Sequence, residues 1–136
     1  EIFMNLEILK IASNTKNFKD IKKYTHYSKS KNPLCGDEIH IKLVINNQKI
    51  IDFGYQGKSC VYCQATASLL SNKLVNYKTI KIRDLCNYAN SYFIENHKNL
   101  KKEWKFLSKL LSQKNASRQQ CILLPFNALR KIVSNL

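Results

Sequence analysis

The alternation of apolar and polar positions is clearest between residues 38 and 46. Ile39, Ile41, Leu43 and Ile45 fall on one side and His40, Lys42 and Asn46 on the other, with Val44 the single exception. A period of two predicts a strand with one buried face. Asn46, Asn47 and Gln48 form a turn signal, so residues 49–55 are expected as its antiparallel hairpin partner. Gly57 then permits a sharp change of backbone direction. Helical spacing predicts the other elements. Phe3, Leu6, Ile8, Leu9 and Ala12 suggest a first helix over 3–13, and the small residues of 64–70 a second. Ile82, Leu85, Cys86, Ala89 and Phe93 share one face of a helix over 79–94. Leu100, Trp104, Leu107 and Leu111 have the same kind of spacing and predict a helix over 98–112. Residues 117–120 read S-x-x-Q, a capping box that would open a last helix, and Pro125 is expected to kink it. Residues 14–34 are polar and without period, so a long surface segment is expected there.

These elements add up to an α+β fold, with an antiparallel sheet toward the front of the chain and helices packed on it. The 136 residues contain no internal repeat and no low-complexity linker, and are expected to form one domain over 1–136. No apolar run approaches the roughly 20 residues that span a bilayer, so no membrane role is expected. No signal-peptide pattern opens the chain. The first residue is Glu1 and the one methionine is at position 4, which leaves room for a start further upstream.

The formal net charge of +14 suggests an anionic partner. The kind of charge weakens that suggestion. Twenty lysines stand against three arginines, alongside 15 Asn and 14 Ile, the products of AT-rich codons. Nucleic-acid readers favour arginine for its bidentate contacts, so nucleic acid is the less favoured partner. A solvated surface that steers an acidic protein fits better.

The five cysteines are Cys35, Cys60, Cys63, Cys86 and Cys121. An odd number without a secretory signal does not describe a disulfide framework, and points to the reducing cytoplasm. In N-P-L-C-G-D, residues 32–37, Cys35 and Asp37 are offset by two, so in extended backbone both side chains point the same way. Cys60 follows the hairpin at the start of a helix, where the dipole favours a thiolate. Cys121 falls in the first turn of the last helix. Three thiolates and a carboxylate form a plausible tetrahedral set for zinc or for the irons of a cluster. Lys58 and Arg118, each close to one of these cysteines, are candidates to offset the negative charge or to hold a sulfur intermediate. Cys60-x-x-Cys63 looks like half a zinc knuckle or a thioredoxin-like motif, but the second half and a βαβ setting are both missing. Cys86 lies on an apolar helix face and reads as core. His40 projects outward from the first strand, and His26 and His97 read as surface residues.

At these residues the chain resembles the iron–sulfur cluster scaffold family, the IscU-like and NifU N-terminal domains with their SufU relatives. The resemblance is carried by N-P-L-C-G-D at 32–37, D-F-G-Y-Q-G-K-S-C at 52–60, Q-A-T-A-S-L-L at 64–70 and S-R-Q-Q-C-I-L-L-P-F-N-A-L at 117–129. It implies an α+β, IscU/SufE-like fold, with a sheet of about three strands against four to five α-helices. It also implies a [2Fe–2S] cluster, or iron or zinc, held by Cys35, Asp37, Cys60 and Cys121. Sulfur would come from a cysteine desulfurase, with Cys35 or Cys121 as persulfide acceptor, and product would pass to recipient apo-proteins or carriers. Three departures stand out. Gln120 occupies a position where many members have histidine, which is closer to the SufU-type branch. Ser59 replaces the usual glycine before the second cysteine. The L-P-P-V-K chaperone motif has no match. Cys63 is not a family ligand, and reads as a half-buried helix residue or a spare sulfur acceptor.

Three functions follow for comparison. The first is a scaffold on which clusters are assembled. The second is a zinc-dependent sulfurtransferase using the same ligands, slightly favoured by the missing histidine. The third, a basic nucleic-acid-binding module, leaves the cysteine pattern unexplained.

Overall fold

The computed structural model describes residues 6–136. In chain order it contains α1 (Leu6–Ala12), β1 (His26–Lys31), β2 (Glu38–Asn46), β3 (Lys49–Lys58), α2 (Val61–Lys73), α3 (Thr79–Ile94), 3-10 segments at Lys102–Leu107 and Gln113–Arg118, and α4 (Gln119–Val133). The three strands form one antiparallel sheet in the order β1-β2-β3. This is the expected α+β fold. The expected first helix begins in the described residues at Leu6, and Phe3 lies outside them.

The β2–β3 hairpin follows from its sequence pattern. Ile39, Ile41 and Leu43 are buried on its inner face with Ile50, Phe53 and Tyr55 of β3. Asn47 and Gln48 both have positive φ, 52° and 63°. Such a two-residue turn matches the right-handed twist of the flanking strands. Helices α2 and α4 lie against the sheet, and α4 also packs on α3. Between these layers sit Leu70, Ile82, Leu85, Ile122, Phe126 and Leu129, all fully buried. Each such side chain contributes about 1.5–3 kcal/mol relative to exposure.

Four local expectations are corrected. Residues 14–34 are not a plain surface loop, because β1 pairs with β2 from His26↔Leu43 to Lys31↔Glu38. Upstream of it, residues 17–19 run along β3, with the Tyr55 N–H donating to the Asn17 carbonyl and the Lys19 N–H to the Tyr55 carbonyl. The expected α-helix over 98–112 is not formed: only Lys102–Leu107 is helical, as 3-10 structure interrupted at Trp104 (φ −108°, ψ 16°). Its apolar residues still reach the core: Leu100, Trp104, Leu107 and Leu111 are buried. The capping box is not formed either. Ser117 belongs to a 3-10 segment, and α4 starts after Arg118 with no side-chain cap. Finally, α4 continues through Pro125, so the proline does not end the helix. Proline has no N–H, so the Cys121 carbonyl lacks its helical partner without the helix ending there.

Candidate metal centre

The first arm of the site is the turn before β2. The Asn32 side-chain oxygen accepts from the Leu34 N–H at 3.0 Å, and the Asn32 carbonyl accepts from the Gly36 N–H at 2.8 Å. The Asn32 N–H donates to the Asp37 carbonyl at 2.8 Å and closes the loop. An asparagine that holds its own backbone in this way is a turn-former. Gly36 supplies the positive φ, +78°, that reverses the chain between the two candidate ligands. Leu34 at the tip is 92% exposed. Cys35 is exposed, whereas Asp37 is buried at 8%.

The second arm is the end of β3. Gly57 pairs with Ile39 at φ +137°, and a Cβ there would lie 2.1 Å from the Glu38 carbonyl oxygen. Only glycine lets the two strands approach so closely beside Asp37. Two residues further on, Cys60 is the N-cap of α2, half-buried, and its carbonyl accepts from the Gln64 N–H at 3.0 Å. The third arm is α4, whose third residue is Cys121, also half-buried.

Donor atoms of Cys35, Asp37 and Cys121 all lie within 4.8 Å of one another. A tetrahedral zinc site spaces its donors by about 3.5–3.8 Å, so a contraction of about 1 Å would close this group on an ion. Cys60 stands next to it. Its sulfur is not within 4.8 Å of all three, but it is near enough to act on the Cys121 thiol. Burial pushes the Cys121 thiol well above its ordinary range. The Cys60 contact and the charges of Cys60, Asp37 and Cys35 push it the same way. Asp37 Oδ2 is buried and has no hydrogen-bond partner. A buried carboxylate oxygen left without a partner is costly, and a cation is the partner that relieves it. Three sulfurs and one carboxylate suit zinc and iron. On both counts the residues fit a metal ion or an iron–sulfur cluster.

The remaining sequence candidates are placed as follows. Lys58 is exposed at the end of β3. Arg118 sits just before α4 with its guanidinium 5.5 Å from the centre of the Tyr62 ring. His40 bonds Glu38 at 2.6 Å and the Tyr27 hydroxyl at 2.7 Å on the outer sheet face, and does not join the group. Cys86 is core as expected, its thiol pushed up to about 12 by burial. Cys63 is fully buried rather than half-buried, and burial likewise pushes its thiol up to about 12. Sequence reasoning missed the pair Ser59 and Gln64, whose side chains meet at 2.8 Å beside Cys60. The available signal was a hydroxyl residue directly before a helix-capping cysteine.

With this geometry in view, the comparisons with known proteins fall into place. Residues 5–103 match the model of the NifU-like N-terminal domain. The chain belongs to that family. The matched span includes Cys35, Asp37 and Cys60 but ends before Cys121. Among curated relatives, the iron–sulfur cluster assembly scaffold protein IscU of Thermotoga maritima is 31% identical over 78 residues. That match covers 57% of this chain and 55% of the relative's length. Two crystal structures share the fold. The N-terminal NifU-like protein of Brucella abortus superposes with a TM-score of 0.84 at 18% identity, over 96% of this chain and 91% of that one. A SufU described as a scaffold protein for the SUF system, from Fervidobacterium islandicum, gives 0.85 at 18% identity over 96% of both chains.

Proposed function

We propose that this chain, as one domain over residues 1–136, assembles iron–sulfur clusters on Cys35, Asp37, Cys60 and Cys121 with sulfur from a cysteine desulfurase. One observation carries the reading: the Cys35–Asp37 turn and the remote Cys121 bring two thiols and a carboxylate within 4.8 Å of one another, with a buried, unpartnered Asp37 oxygen. Family membership makes iron and sulfide the cargo. Zinc suits the same donors.

The residues divide the work. Cys35, exposed on its turn, is the thiol a desulfurase loop reaches first, so it accepts sulfur. Its thiolate attacks the outer sulfur of the donor's persulfide. A new Cys35–sulfur bond forms, and the donor's cysteine leaves as its thiolate. Cys121 is the alternative acceptor. It is less suited because its thiol is held protonated. Asp37 and Cys60 complete the donor set. Lys58 lies at the mouth of an open groove of about 690 Å³ that it shares with Gly36, Glu38 and His40. There it offsets part of the negative charge of the loaded site, as Arg118 does beside Tyr62. Product passes to recipient apo-proteins or carriers. The proposed setting is the cytoplasm, and among the described residues no helix is long and apolar enough to cross a membrane.

A second reading keeps the ligands and changes the product. Gln120 is exposed and offers no imidazole beside Cys121. This favours a zinc-dependent sulfurtransferase that relays persulfide sulfur. One experiment separates the two readings. The protein is incubated anaerobically with iron, cysteine and a cysteine desulfurase. Visible charge-transfer absorption, with near-stoichiometric iron and sulfide on the chain, is the expected result. A colourless protein that keeps about one zinc and takes up sulfane sulfur supports the relay instead. Neither sulfur uptake nor metal binding would overturn both.

A further inference from the structure

We propose that Cys60 and Cys63 form a redox-active dithiol pair, a disulfide site built into the first turn of α2. This goes beyond the scaffold reading, and the pair itself does not depend on what the site carries.

Four observations lead there. Cys60 is the N-cap of α2 and Cys63 lies one turn further in. Helix geometry holds Cα atoms three residues apart at about 5 Å. That is inside the roughly 4.4–6.8 Å range that disulfides need, so the backbone of α2 does not have to move. The two thiols are unequal. Cys60 is half-buried and faces the open site, whereas Cys63 is 0% exposed. An accessible thiol at a helix N-terminus with a sheltered thiol one turn later is the division between attacking and resolving thiols in exchange chemistry. Next, Ser59 stands directly before Cys60, its Oγ accepting from Gln64 Nε2 at 2.8 Å. It favours the Cys63 thiolate, against the burial that opposes it. Lastly, Cys63 is fully buried in the core, and the charges of Asp37, Cys60 and Cys35 act on its thiol. It has no place in the proposed donor set.

The oxidant is a low-molecular-weight disulfide. The Cys60 thiolate attacks it, a mixed disulfide forms on Cys60, and one small thiolate leaves. Cys63 then gives up its proton and attacks the Cys60 sulfur. The Cys60–Cys63 bond forms, the bond to the small molecule breaks, and the second small thiolate leaves. The two protein thiols lose two electrons, the small disulfide gains them, and both thiol protons end on the small thiols. A sulfur in a disulfide is a poor metal donor, so oxidation takes Cys60 away from Cys35, Asp37 and Cys121. Ser59 is a positioning residue in the second step.

The test starts with metal-free protein under argon. It is incubated with oxidised glutathione, quenched in acid and mapped by peptide mass spectrometry. The expected product is a Cys60–Cys63 link with no retained glutathione. Cys63→Ala should keep glutathione on Cys60. Ser59→Ala should slow the loss of glutathione from Cys60 at least fivefold, with Ser59→Thr restoring the rate. In zinc-loaded protein the same oxidation should release the ion to a chromophoric chelator. A Cys60–Cys121 link would overturn the proposal. So would a mixed disulfide equally persistent in the wild type and in Cys63→Ala. Because the mapping is done without metal, it stands or falls apart from the scaffold reading.

Discussion

The two sides of the site are built in opposite ways. The Cys35 side is a turn standing in solvent. Leu34 and Cys35 are exposed, and nothing lies within 4 Å of where a Cβ on Gly36 would be. The Cys60 and Cys121 side is made of helix starts set on a close-packed sheet end, where a Cβ on Gly57 would meet backbone at 2.1 Å. One arm has room to adjust and the other two are fixed by the core. A scaffold needs both. On the proposed function, the fixed arms would define where the cargo sits, and the open arm would accommodate a single ion, a cluster or a sulfur adduct. Proteins place such adaptable groups on loops held by a rigid frame.

The contrast is most directly broken by removing a fixed ligand. Cys121→Ser should weaken zinc binding several-hundred-fold in competition with a chelator. A structural zinc worth about 10–16 kcal/mol over four ligands is worth about 2.5–4 kcal/mol for each. Chelator should lower the melting temperature of the wild type more than that of this variant, which holds zinc more weakly. Gly57→Ala comes next. The clash with the Glu38 carbonyl should cost about 3 kcal/mol in a denaturant titration, since neither strand can yield without breaking the hairpin. A smaller and opposite pair of effects is expected for Asp37→Asn. The metal-free protein should gain about 1–2 kcal/mol by losing an unpartnered buried carboxylate, while the zinc-loaded protein becomes less stable. The gap between the two melting curves therefore narrows.

Titration sharpens the comparison further. The Cys121 thiol lies above its ordinary value, so it is protonated at neutral pH and a metal ion must displace that proton. Zinc affinity should rise about tenfold per pH unit between 6 and 8 for each proton released. A slope left unchanged by Cys121→Ser would mean that Cys121 does not bind the ion. The smallest effect belongs to the open arm. Gly36→Ala keeps its space but strains a positive φ, and should cost about 1 kcal/mol with zinc affinity almost unchanged.

The same contrast accounts for what could be read from the sequence. The β2–β3 hairpin and α3 were legible because their inward residues are Ile, Leu, Phe and Cys in a plain period. Strand β1 was not, because the residues it turns inward are Ser28 and Ser30, buried but polar. Residues 98–112 misled for the converse reason. Their apolar spacing reports burial, which is real, while the backbone winds in 3-10 turns that give a similar spacing over so short a span. In the site, Cys35, Asp37, Cys60 and Cys121 were visible through their motifs. The offset of Cys60 from the tightest group was not, nor was the polar contact of Ser59 and Gln64. Both depend on how α2 seats against β3, which no local pattern encodes.

The order of the arms along the chain has a consequence for biosynthesis. Chains emerge from the ribosome N-terminal end first. The turn with Cys35 and Asp37, the hairpin and Cys60 are all outside the tunnel well before α4 is made. Until Cys121 arrives and α4 docks on the sheet, the proposed ligand set is incomplete. On that reading, loading would wait until the molecule has closed, and a half-made chain would be guarded against capturing stray metal.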